Sequence, residues 1–466
     1  MSDLYQWPWV ESHVEQTMAL WQDCAHRPLP AAPHFSLDDQ QRRESAYDEA
    51  LGAVESELAS ARHHGRKPAD RLALQQRITQ VFARFSALAL GLEEDAIHIL
   101  TNEFLPVGVS LAQWARRFDP TLPMPGIIQA CRNAWTACGM QPLLGERIRI
   151  TPAILGYSLL YPYTDNFLDR TDISSADKLY FSRRFHDRLD GLILAPVNPQ
   201  EHALWTMVAL IEEQFPRHAF PDVFTCLLAI HRAQVDSLAQ LERKASGSLA
   251  SRDADLLRLS CAKGGTSVLA DACLSRGSLT TGESRFAFEW GVLLQLGDDL
   301  QDITEDLDRD SHTLFSCAAL AGQPLDSLVR QLLQFAGRVG DRMDALGRGT
   351  PELRHLLRMS WRSLILGAVA ESHQHFTPAF LAEAEQSSHF RFAFLRARRQ
   401  RLASSQGLYS SLFQLFLEPS PDANEPGAPP IPRPLRIDGN HNRPHNHICH
   451  PEKRSDEGSA FIVLGL

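Results

Sequence analysis

Acidic side chains are concentrated at the end of an apolar stretch at 291–306, which reads GVLLQLGDDLQDITED. At 3.6 residues per turn, Asp298, Asp302 and Glu305 share one face of a helix, and Asp299 lies beside them. Carboxylates four residues apart repel one another, so this ridge requires a compensating cation. Mg²⁺ prefers oxygen ligands and is usually held by one or two carboxylates, water and substrate phosphates. The ridge therefore predicts a site for a divalent cation.

A second site of the same kind ends another apolar stretch, LLYPYTDNFLDR at 159–170. Asp165 and Asp169 share one helical face there, as Asp298 and Asp302 do in the later stretch. Either stretch alone is typical of a solvated helix end. The two together favour a functional metal site.

Composition excludes several classes of protein. Of the 466 residues, 44% are hydrophobic and 22% are charged, which is typical of a globular protein. The net charge of -10 lacks the basic surplus of a nucleic-acid binder, so no nucleic-acid partner is expected. The first residues show no secretory signal, and no uncharged apolar run approaches the roughly 18 to 20 residues of a membrane span. The eight scattered cysteines contain no Cys-x-x-Cys and predict reduced core residues in a cytoplasmic protein.

Hydrophobic spacing predicts an all-α fold, a large helical bundle with short connections. Apolar residues recur every three or four positions through most of the chain, and no convincing alternating strand pattern occurs. The turn cluster PTLPMPG at 120–126 closes an N-terminal helical layer. The predicted helices span about 37–63, 68–90, 95–118, 127–139, 151–169, 174–193, 200–214, 221–244, 253–275, 283–306, 325–346, 352–373 and 388–403. Within 95–118, Pro106 and Gly108 are expected to break the helical pattern.

Three segments are expected from the composition. Residues 1–36 hold three tryptophans and several prolines, and we expect an extension that packs onto the body. Residues 37–417 form the helical domain, with its motifs at about 150–320. Residues 418–466 are rich in proline and histidine, which predicts a disordered tail.

The pattern Gly291-x-x-x-Gln295-Leu-x-Asp298-Asp299-x-x-Asp302 resembles the second aspartate-rich motif of trans-type polyprenyl diphosphate synthases. Upstream, Lys263-Gly-Gly resembles the lysine-containing helix that precedes this motif, and the two glycines would let a phosphate approach backbone N–H groups. The acidic stretch is also similar to the second motif of squalene and phytoene synthases. These families share the class I isoprenoid synthase fold, so the resemblance implies an all-α bundle around a central apolar cavity.

The resemblance also implies roles for individual residues. The two acidic helices would face each other across the cavity, with three Mg²⁺ ions bridging them to the diphosphate of a prenyl substrate. The implied metal ligands are Asp165, Asn166, Asp169, Asp298, Asp299 and Asp302, and the implied catalytic residues are Asp165, Asp169, Asp298 and Asp302. The implied diphosphate contacts are Lys263, Arg170 and Gln295, and the implied cavity-lining residues are Tyr161 and Leu294. Relatives in these families are commonly homodimers, so a homodimer is one arrangement that the resemblance implies.

The chemistry of such a site is ionisation of an allylic C–O bond. The catalyst must stabilise the departing pyrophosphate and keep the carbocation dry. The first motif departs from the chain-elongating pattern, because Asn166 stands where a second Asp is usual and the paired arginines expected after it are absent. Since such basic groups would hold a second diphosphate, the sequence favours a terpene cyclase, similar to large bacterial terpene synthases whose first motif is Asp-Asn-x-x-Asp-Arg. Chain elongation, head-to-head coupling and a non-catalytic helical scaffold are the alternatives.

Overall fold

The computed structural model describes residues 8–25, 32–63, 68–168, 173–241, 249–404 and 415. These residues form helices and connecting turns, and no strand occurs within them, so the predicted all-α class is confirmed. The α-helices are α1 (Pro8–Cys24), α2 (Leu37–His63), α3 (Pro68–Leu88), α4 (Glu94–His98), α5 (Leu105–Phe118), α6 (Met124–Leu143), α7 (Pro152–Leu168), α8 (Ser175–Leu189), α9 (Pro199–Gln214), α10 (Pro221–Leu241), α11 (Leu249–Arg276), α12 (Thr281–Gln301), α13 (Ile303–Asp308), α14 (Leu314–Leu320), α15 (Asp326–Ala345), α16 (Pro351–Glu371), α17 (Pro378–Glu385) and α18 (Phe392–Ser404).

Several helix boundaries differ from the predicted ones. The predicted helix 283–306 is divided, because α12 ends at Gln301 and α13 begins at Ile303. The interruption expected at Pro106 and Gly108 is instead a π-helical turn at Ile99–Phe104, just before Pro106. The backbone is helical at both junctions, so α4, this turn and α5 form one continuous helix. The short helices α14 and α17 were not predicted, since seven or eight residues carry little periodicity.

Helix α11 packs against α1, α6, α7, α10 and α12, so it connects the helices that carry the two acidic motifs. It contacts α12 closely through glycines on both helices. A Cβ atom on Gly291 would lie 2.0 Å from the carbonyl oxygen of Gly264, and one on Gly265 would lie 2.4 Å from the Phe288 ring. The glycines beside Lys263 therefore serve helix packing. The expectation that they open the backbone to a phosphate was wrong, because the backbone there lies inside a helix packed against another helix.

The N-terminal segment packs onto the body through α1. Val14 and Trp21 are buried, Glu11 forms an ion pair with Arg258 of α11, and the His13 ring stacks on Phe288 of α12. Helix α1 therefore buttresses the two helices that carry Lys263 and the acidic ridge.

The seven cysteines among the described residues are buried, as the sequence predicted. Within the same residues, no helix is long and apolar enough to cross a membrane. The proline- and histidine-rich tail at 418–466 lies outside the described part of the chain.

Candidate functional site

The acidic ridge lies at the C-terminal end of α12, where its members have different environments. The Asp298 side chain is 46% exposed, and Asp302 is half-buried at the junction with α13. Asp299 is only 6% exposed. The helical geometry that places these residues together therefore leaves Asp298 and Asp302 partly exposed and turns Asp299 inward.

Asp299 is held by two neighbouring side chains. The Ser260 hydroxyl donates to one carboxylate oxygen at 2.7 Å, and the Gln295 amide donates to the other at 2.7 Å. Burial raises the pKa of Asp299, while these two hydrogen bonds and the charge of Lys263 oppose that rise. The structure thus brings Lys263 and Gln295 to the ridge, and their role as diphosphate contacts stays a prediction. It also shows that the amide of Gln295, an implied diphosphate contact, donates to Asp299.

Two arginines that the sequence reasoning missed also reach the ridge. Arg132 of α6 places Nη2 3.9 Å from a carboxylate oxygen of Asp298. Arg399 of α18 forms an ion pair with Glu371; burial lowers its pKa, and the charge of Asp302 opposes that effect. No local pattern signals either arginine, because each comes from a helix distant in sequence.

Asp306 of α13 adds a further carboxyl group at this end of α12. Its pKa is raised to about 7, first by burial and then by the charges of Asp299 and Asp302. Hydrogen bonds from Ser311 and Thr313 oppose the rise. The carboxyl groups of the ridge therefore act on one another electrostatically, although burial is the larger cause of this shift.

The first acidic motif is only partly within the described structure. The backbone of Asp165 and Asn166 lies in the last turn of α7, and their side chains are not described. Asp169 and Arg170 lie outside the described residues. Their implied roles as ligands and diphosphate contacts therefore stay predictions.

A pocket lies between α7, α8 and α10. Its walls are aromatic and aliphatic with a few polar groups: Tyr157, Leu160, Tyr161, Thr164, Phe185, Leu189, Leu227, Ile230, His231 and Gln234. On α7 the lining runs to Thr164, the residue before Asp165. Its volume of about 20 Å³ holds about one water molecule. The deep central cavity that the resemblance implied is therefore not confirmed.

The two residues expected to line a cavity have different positions. Tyr161 lies in the pocket wall, whereas Leu294 is half-buried against the hydrophobic core and is not part of that wall. The Tyr161 hydroxyl lies 2.6 Å from Oγ of Ser267, and the Tyr157 hydroxyl donates to the Ser267 carbonyl at 3.2 Å. These bonds tie the pocket wall of α7 to α11.

The pocket lining includes one histidine, His231. Its Nε2 lies 3.0 Å from the Ser182 carbonyl oxygen, which only accepts, so Nε2 carries the proton. Burial lowers the pKa of His231 to about 4, so the ring is neutral at pH 7. The pocket therefore presents no cationic group from this residue.

The carboxylates of α12 match the way proteins hold Mg²⁺. Among the described residues, no three His, Cys, Asp or Glu side chains are grouped so as to hold a metal ion by themselves. Mg²⁺ usually takes only one or two carboxylates and completes its shell with water and substrate phosphate. The partly exposed Asp298 and Asp302 fit that smaller demand, and both oxygens of the buried Asp299 accept hydrogen bonds.

Comparison of this chain with known protein families, with curated proteins and with solved structures finds no match.

Proposed function

We propose that this chain is a class I isoprenoid synthase that ionises an allylic prenyl diphosphate, releases pyrophosphate and cyclises the resulting carbocation. One observation carries the proposal: Gln295 donates to Asp299 and the charge of Lys263 acts on Asp299, beside the partly exposed carboxylate of Asp298 at the acidic end of α12. The same constellation of lysine, glutamine and aspartates was the basis of the resemblance. Helix α11 links it to the aromatic pocket beside α7.

Each part of the proposed chemistry is assigned to different residues. Asp298 and Asp302 would hold Mg²⁺, and Mg²⁺ supplies positive charge to the departing pyrophosphate. Lys263 and Arg132 lie at the same end of α12 and would add fixed positive charge to the diphosphate. Tyr157, Tyr161 and Phe185 would shield the carbocation from water.

A prenyl chain does not fit a volume of about 20 Å³, so binding requires the pocket to widen. The walls belong to three separate helices, α7, α8 and α10, and widening means that these helices or their side chains separate. Induced opening of this kind is common where a ligand supplies the energy for it.

Prenyl transfer is the second candidate, and a specific observation favours it. Arg132 and Arg399 bring positive charge to the ridge from outside the motifs, so they could replace the missing arginines and hold a second diphosphate. The cyclase is favoured by Asn166, which stands where chain-elongating synthases usually have a second Asp and so lowers the charge of the first motif. The two reactions differ in whether a second substrate is consumed.

The test is an incubation of the chain with Mg²⁺ and geranyl, farnesyl or geranylgeranyl diphosphate, with and without isopentenyl diphosphate. Pyrophosphate release and mass spectrometry of the extract are the readouts. A hydrocarbon or alcohol from one allylic substrate alone is the expected result. A longer diphosphate that requires isopentenyl diphosphate would replace cyclisation by chain elongation, and dimerisation of one substrate would indicate head-to-head coupling.

A non-catalytic scaffold predicts the opposite outcome. No pyrophosphate would be released at any chain length, and Asp298→Ala would not alter the melting temperature measured with Mg²⁺ and a prenyl diphosphate. Under the enzyme proposal these ligands stabilise the wild-type chain more than the variant, because a ligand that binds the folded state raises its stability.

A further inference from the structure

Two buried cysteines from neighbouring helices lie in direct contact. Cys226 of α10 and Cys273 of α11 have their sulfur atoms 3.0 Å apart, and the side chains are 6% and 3% exposed. The contact with Cys273, together with burial, raises the pKa of Cys226 well above its ordinary value. Cys226 is therefore a neutral thiol at pH 7.

Their position is close to the pocket on both helices. Cys226 precedes Leu227, which lines the pocket wall of α10. Cys273 lies on the same helix as Ser267, to which Tyr157 and Tyr161 of α7 are hydrogen-bonded. Both α7 and α10, which form walls of the pocket, therefore contact α11. Helix α7 does so through tyrosine hydroxyl groups, and α10 does so through the cysteine pair.

We propose that Cys226 and Cys273 are a reversible disulfide site, which locks α10 to α11 and holds the pocket closed. A disulfide bond is about 2.05 Å long, so the two sulfur atoms need to approach by about 1 Å. In the reaction two S–H bonds break and one S–S bond forms, and two electrons and two protons pass to an oxidant such as a peroxide or a diazene. A thiol reductant reverses the step. The effect on the pocket rests on the function proposed above, whereas the disulfide itself does not.

The pair differs from the other described cysteines in having a cysteine neighbour. Cys131, Cys138 and Cys261 are also buried, and the thiols of Cys131 and Cys138 donate to backbone carbonyl oxygens. They provide controls for burial and for loss of a core thiol.

The experiment uses the whole chain with Cys449→Ser, which removes the cysteine in the tail, and treats it with diamide. We expect the intact mass to fall by two hydrogens, peptide mapping to join Cys226 to Cys273, and the melting temperature to rise by several degrees. Cys261→Ala should behave like the parent, whereas Cys226→Ala and Cys273→Ala should form no bridge. Since either alanine variant could lose stability, the mapped bridge in the parent is the primary readout.

Two results would overturn the site. One is that both thiols remain open to alkylation after denaturation, under conditions that oxidise the same cysteines in the unfolded chain. The other is a bridge that maps to a different pair.

Pyrophosphate release then tests the effect on the pocket. With farnesyl diphosphate, the turnover of the bridged form should be at least about tenfold lower than that of the reduced form. Dithiothreitol should restore the turnover. Cys226→Ala should keep its activity in diamide. Equal turnover of the bridged and reduced forms would contradict the closing effect. A reduced form without any pyrophosphate release would refute the proposed function and leave the mapped bridge valid.

Discussion

The two ends of helix α12 carry buried carboxylates in opposite surroundings. Near its start, Glu283 and Glu289 are 5% and 0% exposed, and each is paired with two arginines. These arginines come from α11, α12, α15 and the turn after α15: Arg276, Arg285, Arg342 and Arg348. Two basic groups for each carboxylate make this end a structural ion-pair network.

At the other end the surroundings differ. Asp298, Asp299, Asp302 and Asp306 lie near one another, and the charges of Lys263, Arg132 and Arg399 reach them, although Arg399 also pairs with Glu371. The Arg132 contact to Asp298 spans 3.9 Å, whereas Arg276 lies 2.7 Å from Glu283. Glu283 keeps a lowered pKa despite its burial, whereas burial outweighs the two arginines of Glu289 and leaves its pKa raised. The carboxylates near the start of α12 are therefore held by close ion pairs, and Asp298 at its end has a longer, partly exposed contact.

The largest expected effect is at the compensated end. Glu289→Ala leaves Arg285 and Arg342 without their shared carboxylate, and breaking such a buried pair costs about 3–5 kcal/mol. The free energy of unfolding from urea denaturation measures it. Asp308→Ala, at an exposed aspartate beyond the ridge, should change this value by less than about 0.5 kcal/mol. A loss below about 1 kcal/mol for Glu289→Ala would mean that the network is not structural.

The next effect is at the acidic end and concerns activity. Asp298→Asn should lower pyrophosphate release about 100-fold, which equals about 2.7 kcal/mol, because it removes a carboxylate proposed to hold Mg²⁺. Its unfolding free energy should stay within about 0.5 kcal/mol of wild type, since the side chain is half-exposed. Asp308→Asn is the matched control for release. Equal loss in both variants would show that the effect is not specific to the ridge.

The pH dependence of stability sharpens the contrast. Hydrogen bonds from Thr280 and the charges of Arg276 and Arg348 hold the pKa of Glu283 below its ordinary value against the effect of burial. A lowered pKa stabilises the folded state above the ordinary pKa of 4.5, and this contribution is lost as the pH falls through the lowered value. Glu283→Gln should therefore cost about 2 kcal/mol at pH 7 and progressively less below about pH 4. Urea denaturation of both proteins from pH 3 to pH 7 measures the difference, and a constant gap would contradict the assignment.

The smallest effect is expected for the arginine at the ridge. Arg132→Gln should reduce pyrophosphate release about tenfold, mainly through a higher KM, because a fixed cation near the diphosphate is lost. The 3.9 Å contact should contribute under about 1 kcal/mol to stability. Arg117→Gln, at an exposed arginine of α5, is the control for loss of positive charge. An unchanged KM would exclude Arg132 from substrate binding.

The all-α class and the acidic ridge could be predicted from sequence because both depend on local geometry. A helix repeats every 3.6 residues, so the spacing of apolar residues predicts the helices, and the spacing of Asp298 and Asp302 predicts their common face. The break at Asp302 was missed because the acidic pattern continues through it without a proline or glycine. Lys263 and Gln295 were assigned to the site from a resemblance between motifs. Helical periodicity alone would not have identified them.

Residue spacing along the chain was enough to predict the helical bundle and the concentration of carboxylates on one helix face. Tertiary packing alone decided that Asp299 turns inward while the adjacent Asp298 stays exposed, and that Arg132 and Arg399 reach the ridge. It also decided the contact between Cys226 and Cys273 and the small volume of the pocket. The physical reason is that burial and long-range contacts depend on how each helix is rotated and placed against its neighbours. Those quantities result from the packing of the whole core, and the spacing of residues within one helix does not specify them.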